Sequence, residues 1–245
     1  MAGTGAIDPS VTPPALCALP EEYQHFCPDP DPDPPSICGQ LVPVNQCERV
    51  EVINTPGILE VLVLKEVSNL DLVADSDIIT GIAGKKVADS VVTAKSFKGD
   101  RTLVALHTTK FNTSDIIFKG FGDKFVDVMT GCFNNNSITF NKKSSDFVEF
   151  QVDVEVRNAT INAGRGADTI IFKENSVIKG TNEITLGQGK DVLELPANKK
   201  GKGKIDIIDL AGNDTIKIGD QSFSGRDILK GGIDLPKYIQ PKPKR

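Results

Sequence analysis

The sequence predicts an all-β protein: a parallel β-solenoid of about seven 23-residue coils, preceded by an extended Pro/Cys-rich segment. Three observations carry that expectation. First, Asp77, Asp100, Asp123 and Asp146 lie 23 residues apart, Asp168 follows after 22, and Asp191 and Asp214 resume at 23. Second, the second and fourth residues after most of these Asp are apolar, as in Val148/Phe150, Ile170/Phe172, Leu193/Leu195 and Ile216/Ile218. A period of two means a strand with one face inward. Third, no apolar stripe of helical spacing and length occurs, which excludes a helical repeat.

Each coil needs more than one strand to turn through a full lap. A second apolar marker lies seven residues before the Asp, at Leu70, Ile116, Ile161, Ile184 and Ile207, and slips by one at Val92 and Ile138. A third, weaker patch follows the Asp strand at Phe111, Cys132, Val154/Val156, Val177 and Phe223. After Asp191 this patch is replaced by PANKKGKGK, which reads as a loop. A single coil cannot bury its own inward face, so stacking supplies the continuous core. At the strand spacing of a sheet the stack would be on the order of 34 Å tall.

The chain divides by composition. Residues 1–46 hold most of the prolines, including PDPDPDPP at 28–35, and are expected to run as an extended docking segment rather than a sheet. Cys17, Cys27 and Cys38 lie there and Cys47 directly after it, while Cys132 stands alone in the repeats. Two disulfides fit such a segment, with three pairings open; free thiols and a zinc site with His25 are the alternatives, although no Cys-x-x-Cys occurs. Residues 47–69 contain the apolar run that would cap the first coil, 70–220 the repeats, and 221–245 a closing segment (FSGRDILKGGIDL) with the basic end PKYIQPKPKR, read as a solvated tail.

Composition also excludes function classes. A net charge of −5 and a pI near 5.2 argue against a nucleic-acid partner. No run reaches the roughly 20 apolar residues of a membrane span; GILEVLVL at 57–64 is short and interrupted by Glu60. The first residues lack the basic and apolar regions of a secretory signal peptide. No nucleophile elbow, HExxH, P-loop or dinucleotide fingerprint is present, and His107, after the strand RTLVAL, reads as a turn residue.

Stacking would place the seven Asp above one another, about 5 Å apart, and like charges at that distance need neutralising. Two neutralisers are at hand. One is Ca²⁺, which takes six to eight oxygens and could use carbonyls of Gly-rich turns. The other is the set Lys98, Lys119, Lys124, Lys142, Lys143 and Lys190, all near the same turns. Alternatively, each Asp accepts backbone N–H groups while Gly permits positive φ.

Residues 163–171 (AGRGADTII) and 186–194 (LGQGKDVLE) both read Gly-x-Gly-x-Asp-x-apolar, and 209–217 (DLAGNDTIK) keeps Gly-x-Asp. Over residues 162–218 the chain resembles the RTX family of calcium-binding β-rolls, whose nonapeptide is GGxGxDxUx. It departs from that family by lacking the first Gly and by carrying the motif once per 23 residues rather than twice per shorter coil. The resemblance implies Ca²⁺ held by Asp168, Asp191 and Asp214 with carbonyls of Gly164, Gly166, Gly187, Gly189 and Gly212.

For function, the expectation is a non-enzymatic structural or adhesive component of a larger assembly: a virion appendage or decoration protein, or a secreted cell-surface module. It would be extracellular or in a virion, would dock on a protein partner through residues 1–46, and would act as a homo-oligomer or part of a large assembly, with no nucleic acid or membrane. The alternative is a carbohydrate-active β-helix enzyme, for which the stacked acids offer Asp pairs beside Arg165 and Lys190. Against it, the repeats contain no Trp, and Tyr23 and Tyr238 lie outside them.

Overall fold

A computed structural model describes residues 50–55, 58–74, 79–96, 101–140, 143–197 and 200–242. It is a parallel β-solenoid over residues 58–218. Asp77, Asp100 and the Pro/Cys-rich residues 1–46, with Cys17, Cys27, Cys38 and Cys47, fall outside the described residues.

Each lap contributes three sides and a short corner. In one lap these are Thr169–Phe172, Val177–Lys179 and Thr181–Thr185, then the two-residue corner strand Gln188–Gly189 before Val192–Leu195 starts the next lap. The first side stacks in the order Ile58–Val63, Ile79–Ala88, Arg101–Asn112, Asp123–Val128, Phe147–Phe150, Thr169–Phe172, Val192–Leu195 and Thr215–Ile218. All these pairs are parallel, as successive laps of one winding must be.

The register explains the core. On the first side Leu59, Thr80, Val104, Val126, Val148, Ile170, Leu193 and Ile216 occupy one column, all buried. On the second side the buried column is Val67, Val87, Phe111, Phe133, Val156 and Ile178. The third side aligns Leu72, Val92, Ile116, Ile138, Ile161, Ile184 and Ile207. Phenylalanines one rung apart stack, with centroids 4.9 Å apart for Phe118/Phe140 and 4.7 Å for Phe150/Phe172. An edge-on contact at 5.4 Å joins Phe133 to Phe150 across the core.

These strands and columns correct four details of the sequence reading. The third-side marker is Leu72, not Leu70, and the apparent slip at Val92 and Ile138 is no slip, because both sit in the column with Ile116 and Ile161. On the second side the inward residues are Phe133 and Ile178, next to Cys132 and Val177, which are only partly buried. His107 lies inside the strand Arg101–Asn112, facing outward, rather than in a turn.

The corner between the second and third sides is a single residue in the left-handed region: Asn69, Asp89, Thr113, Asn135, Asn158 and Gly180, with φ between 48° and 60°. Asn and Asp tolerate that conformation better than other side chains, and Thr113 is the costly exception.

Antiparallel strands lie at both ends of the stack. Val50–Thr55 pairs antiparallel with Ile58–Val63, so the parallel winding already starts at Ile58. At the other end Gln221–Ser224 folds back on Thr215–Ile218, followed by a short helix, Gly225–Leu229, capped by the Ser224 hydroxyl. The basic end is not wholly a solvated tail. Ile239–Lys242 adds a parallel strand beside Lys204–Ile208, buries Ile239, and pairs Lys242 with Asp206 at 2.7 Å. Among the described residues no helix is long and apolar enough to cross a membrane.

Candidate functional site

The corner before the first side carries the residues that the sequence singled out. Carried one residue beyond each strand, the register puts Thr102, Lys124, Asp146, Asp168, Asp191 and Asp214 in one column. All six side chains are buried. The structure therefore brings together four of the seven periodic aspartates. Asp123 lies one residue out of register, beside Arg101 and Ser145, and a lysine holds the position expected for it.

That displacement was visible in the sequence. Val126 and Val128 stand two and four residues after Lys124, as Val148 and Phe150 do after Asp146, whereas counting from Asp123 reaches the polar Asp127. The even spacing of Asp123 from Asp146 concealed a lap of 22 residues, Lys124 to Asp146.

The carboxylates link successive laps. Asp168 Oδ1 accepts the backbone N–H of Asp146 at 2.9 Å, Asp191 Oδ1 that of Asp168 at 2.9 Å, and Asp214 Oδ1 that of Asp191 at 3.2 Å. Asp214 closes the ladder by accepting from Ala211 N–H with its second oxygen, at 2.6 Å. At the other end the Lys124 ammonium donates to the Gly122 carbonyl and the Ser144 hydroxyl, each at 2.7 Å, and lies 3.5 Å from Asp146 Oδ1. The Ser144 hydroxyl in turn donates to Asp146 Oδ2 at 2.9 Å.

Between these ends three oxygens are buried without a hydrogen-bond donor: Asp146 Oδ1, Asp168 Oδ2 and Asp191 Oδ2. One buried cation faces four buried acids, so ionising every member would leave uncompensated negative charge in an apolar interior. The column answers by keeping protons to a higher pH than an ordinary carboxylate does. Burial pushes the Asp168 carboxyl up to about 7, and the neighbouring Asp146 and Asp191 add to the rise. Burial likewise raises Asp146 to about 6 against the pull of Lys124, and Asp191 to about 6 with Asp214 adding to it. Asp214 is raised by burial, and burial lowers the Lys124 ammonium from its ordinary value.

The glycines make room for this closeness. A Cβ on Gly166 would sit 1.5 Å from the Ser144 carbonyl oxygen, and one on Gly189 would sit 1.4 Å from that of Gly166. Gly164 and Gly187, with φ of 82° and 85°, turn the chain before those contacts. Gly212 belongs to a different setting, packed near Arg226 of the C-terminal helix.

Calcium needs a cage of convergent oxygens, and this donor set does not fit one. The Asp168, Asp191 and Asp214 carboxylates point into the core, and each has its Oδ1 taken by a backbone N–H group of the preceding lap. The Gly164 carbonyl accepts the Gln188 N–H at 3.1 Å, and the Gly189 carbonyl accepts the Asn213 amide. Among the described residues no group of three or more His, Cys, Asp or Glu is gathered where it could hold a metal ion.

No protein family, curated protein or solved structure matches the chain. The stacked coils agree with the β-roll resemblance at the level of architecture.

A second buried ladder, which the sequence reading did not find, runs along the third side. The hydroxyl of Ser90 accepts the Leu70 N–H, and the Ser114 hydroxyl accepts that of Ser90. Asn136 Oδ1 then accepts from Ser114 N–H and Asn182 Oδ1 from Ala159 N–H, each at 2.9 Å. Its signal was a polar residue just after the left-handed corner: Asp89-Ser90, Thr113-Ser114 and Asn135-Asn136.

Proposed function

We propose that the protein is a non-enzymatic structural or adhesive β-solenoid, working outside cells or in a virion as part of a homo-oligomer or larger assembly, with residues 1–46 docking on a protein partner. The observation that supports this reading is the direction of the repeated acids. An enzyme of the carbohydrate-active kind needs an acid/base pair exposed in a cleft, and Asp146, Asp168, Asp191 and Asp214 spend their carboxylates inside the stack, tying lap to lap. Repeats that use their acids for cohesion serve rigidity. The antiparallel strands at both ends support a unit of fixed length that does not extend itself.

The test is limited proteolysis of the full chain, alone and in the particle or complex with which it co-purifies. The reading expects residues 1–46 to be cleaved in the isolated chain and protected in the complex. An isolated monomer that releases reducing or unsaturated sugars from a polysaccharide panel would favour the enzyme instead. Stabilisation by Ca²⁺ is a separate question, settled by melting in CaCl₂ and in EGTA: the hydrogen-bonded ladder expects equal melting temperatures.

A further inference from the structure

Outside the acid column, on the solvent side of the same corner, lies a groove of about 800 Å³. Its walls include Phe121, Asp123, Lys143, Ser145, Arg165 and Gln188. Lys143, Arg165 and Gln188 are register partners on three successive laps, so two cations and an amide project from one column at the spacing of the rungs, about 4.8 Å. All three side chains are exposed, and neither Lys143 nor Arg165 has an ion-pair or hydrogen-bond partner among the described residues. Phe121 is 57% exposed. The half-buried Asp123 accepts the Ser145 N–H at 3.2 Å, which fixes the wall between them.

We propose that this groove binds an anionic oligosaccharide. The cations would take its carboxylates or sulfates, and the Phe121 ring would pack on the apolar face of a sugar ring. Gln188, Ser145 and Asp123 supply hydrogen-bonding groups for hydroxyls. Two cations one rung apart match a ligand that carries charges on successive units of similar length. What separates a sugar from a phosphate polyanion is the exposed Phe121 ring and the groups that pair hydroxyls, since the cations alone would serve either. The groove goes beyond the assembly reading: it would serve adhesion whether or not residues 1–46 dock on a protein.

Isothermal titration of the full chain with a uronic-acid hexasaccharide, its neutral methyl ester, a sulfated hexasaccharide and a deoxynucleotide of matched charge tests this. The expected result is binding of the uronate or the sulfated sugar, at least about tenfold weaker binding of the methyl ester, and about tenfold loss in each of K143Q and R165Q at unchanged melting temperature. Comparing the uronate and sulfated arms identifies the anion. F121A should weaken the charged sugar and the methyl ester alike. The proposal is overturned if neither charged sugar binds, if the deoxynucleotide binds as tightly, or if K143Q and R165Q bind like the wild type. Should either variant fail to fold, the contrast between uronate and methyl ester on the wild-type chain still decides.

Discussion

Two ladders cross the laps of this solenoid, and they solve one problem with different chemistry. Along the third side Ser90, Ser114, Asn136 and Asn182 accept a backbone N–H from the preceding lap and also donate. Their hydrogens go to the carbonyls of Ala88, Asn112 and Phe111, and, from Asn182, of Lys179 and Lys204. At the acidic corner Asp168, Asp191 and Asp214 accept the same kind of N–H, but an ionised carboxylate has nothing to donate, and three oxygens of this column are left without a hydrogen bond. The four side chains of the neutral ladder both accept and donate as they stand. Its acidic counterpart is complete only when it carries protons.

Gly166→Ala and Gly189→Ala should break the comparison most severely. Each drives a Cβ into a backbone carbonyl that cannot retreat, and each should cost at least about 3–5 kcal/mol or abolish folding. The measure is the denaturant midpoint of the full chain, and near-wild-type stability would mean that the laps are not as close as described. Lys124→Met comes next. It leaves Asp146 without its buried cation, at about 3–5 kcal/mol near pH 8. Below about pH 6, where Asp146 takes up a proton, the loss should shrink.

Exchanging the two chemistries sharpens the contrast at smaller amplitude. Asn136→Asp removes the donor to the Phe111 carbonyl and should cost about 2–4 kcal/mol at pH 8 and less at pH 5. Asp168→Asn does the reverse. Its Oδ1 can still accept the Asp146 N–H, and its amide adds a donor to a column that holds the unpaired oxygens of Asp146 and Asp191. It should stabilise by roughly 1–2 kcal/mol at pH 8 and give no gain at pH 4.

The sign follows from linkage. Acids whose folded pKa is raised, here to about 6–7, contribute stability that is fully present below their unfolded value near 3.8 and is lost as pH rises through the folded values. Wild-type stability, followed by thermal melting, should therefore decline between about pH 4 and pH 8 through this column, and Asp168→Asn should flatten that decline.

Much of the architecture was legible because the period of two and the lap length are both imposed by stacking. Val148, Ile170, Leu193 and Ile216 declared one column without any coordinates. The less legible parts were those where lap length changes. Equal spacing of Asp77, Asp100 and Asp123 suggested that the acid column continued, yet Thr102 and Lys124 hold its positions in two of those laps, because apolar alternation sets register and Asp spacing does not. The purpose of Gly-x-Gly was half visible: the sequence marked a tight corner, and only the neighbouring lap shows that a Cβ at Gly166 would strike Ser144. The neutral ladder was hidden for a different reason. Ser and Asn are ordinary loop residues, and the paired polar residues at each corner do not by themselves say that Asn136 is buried while Asn135 beside it is solvated.

Carbon-13 NMR titration of the aspartate side-chain carboxyls tests the buried column most directly. The ladder predicts resonances from Asp146, Asp168 and Asp191 that move with midpoints near 6–7. If Asp146, Asp168 and Asp191 instead titrate near 4, they are not stacked in the core, and the account of how the laps cohere is wrong.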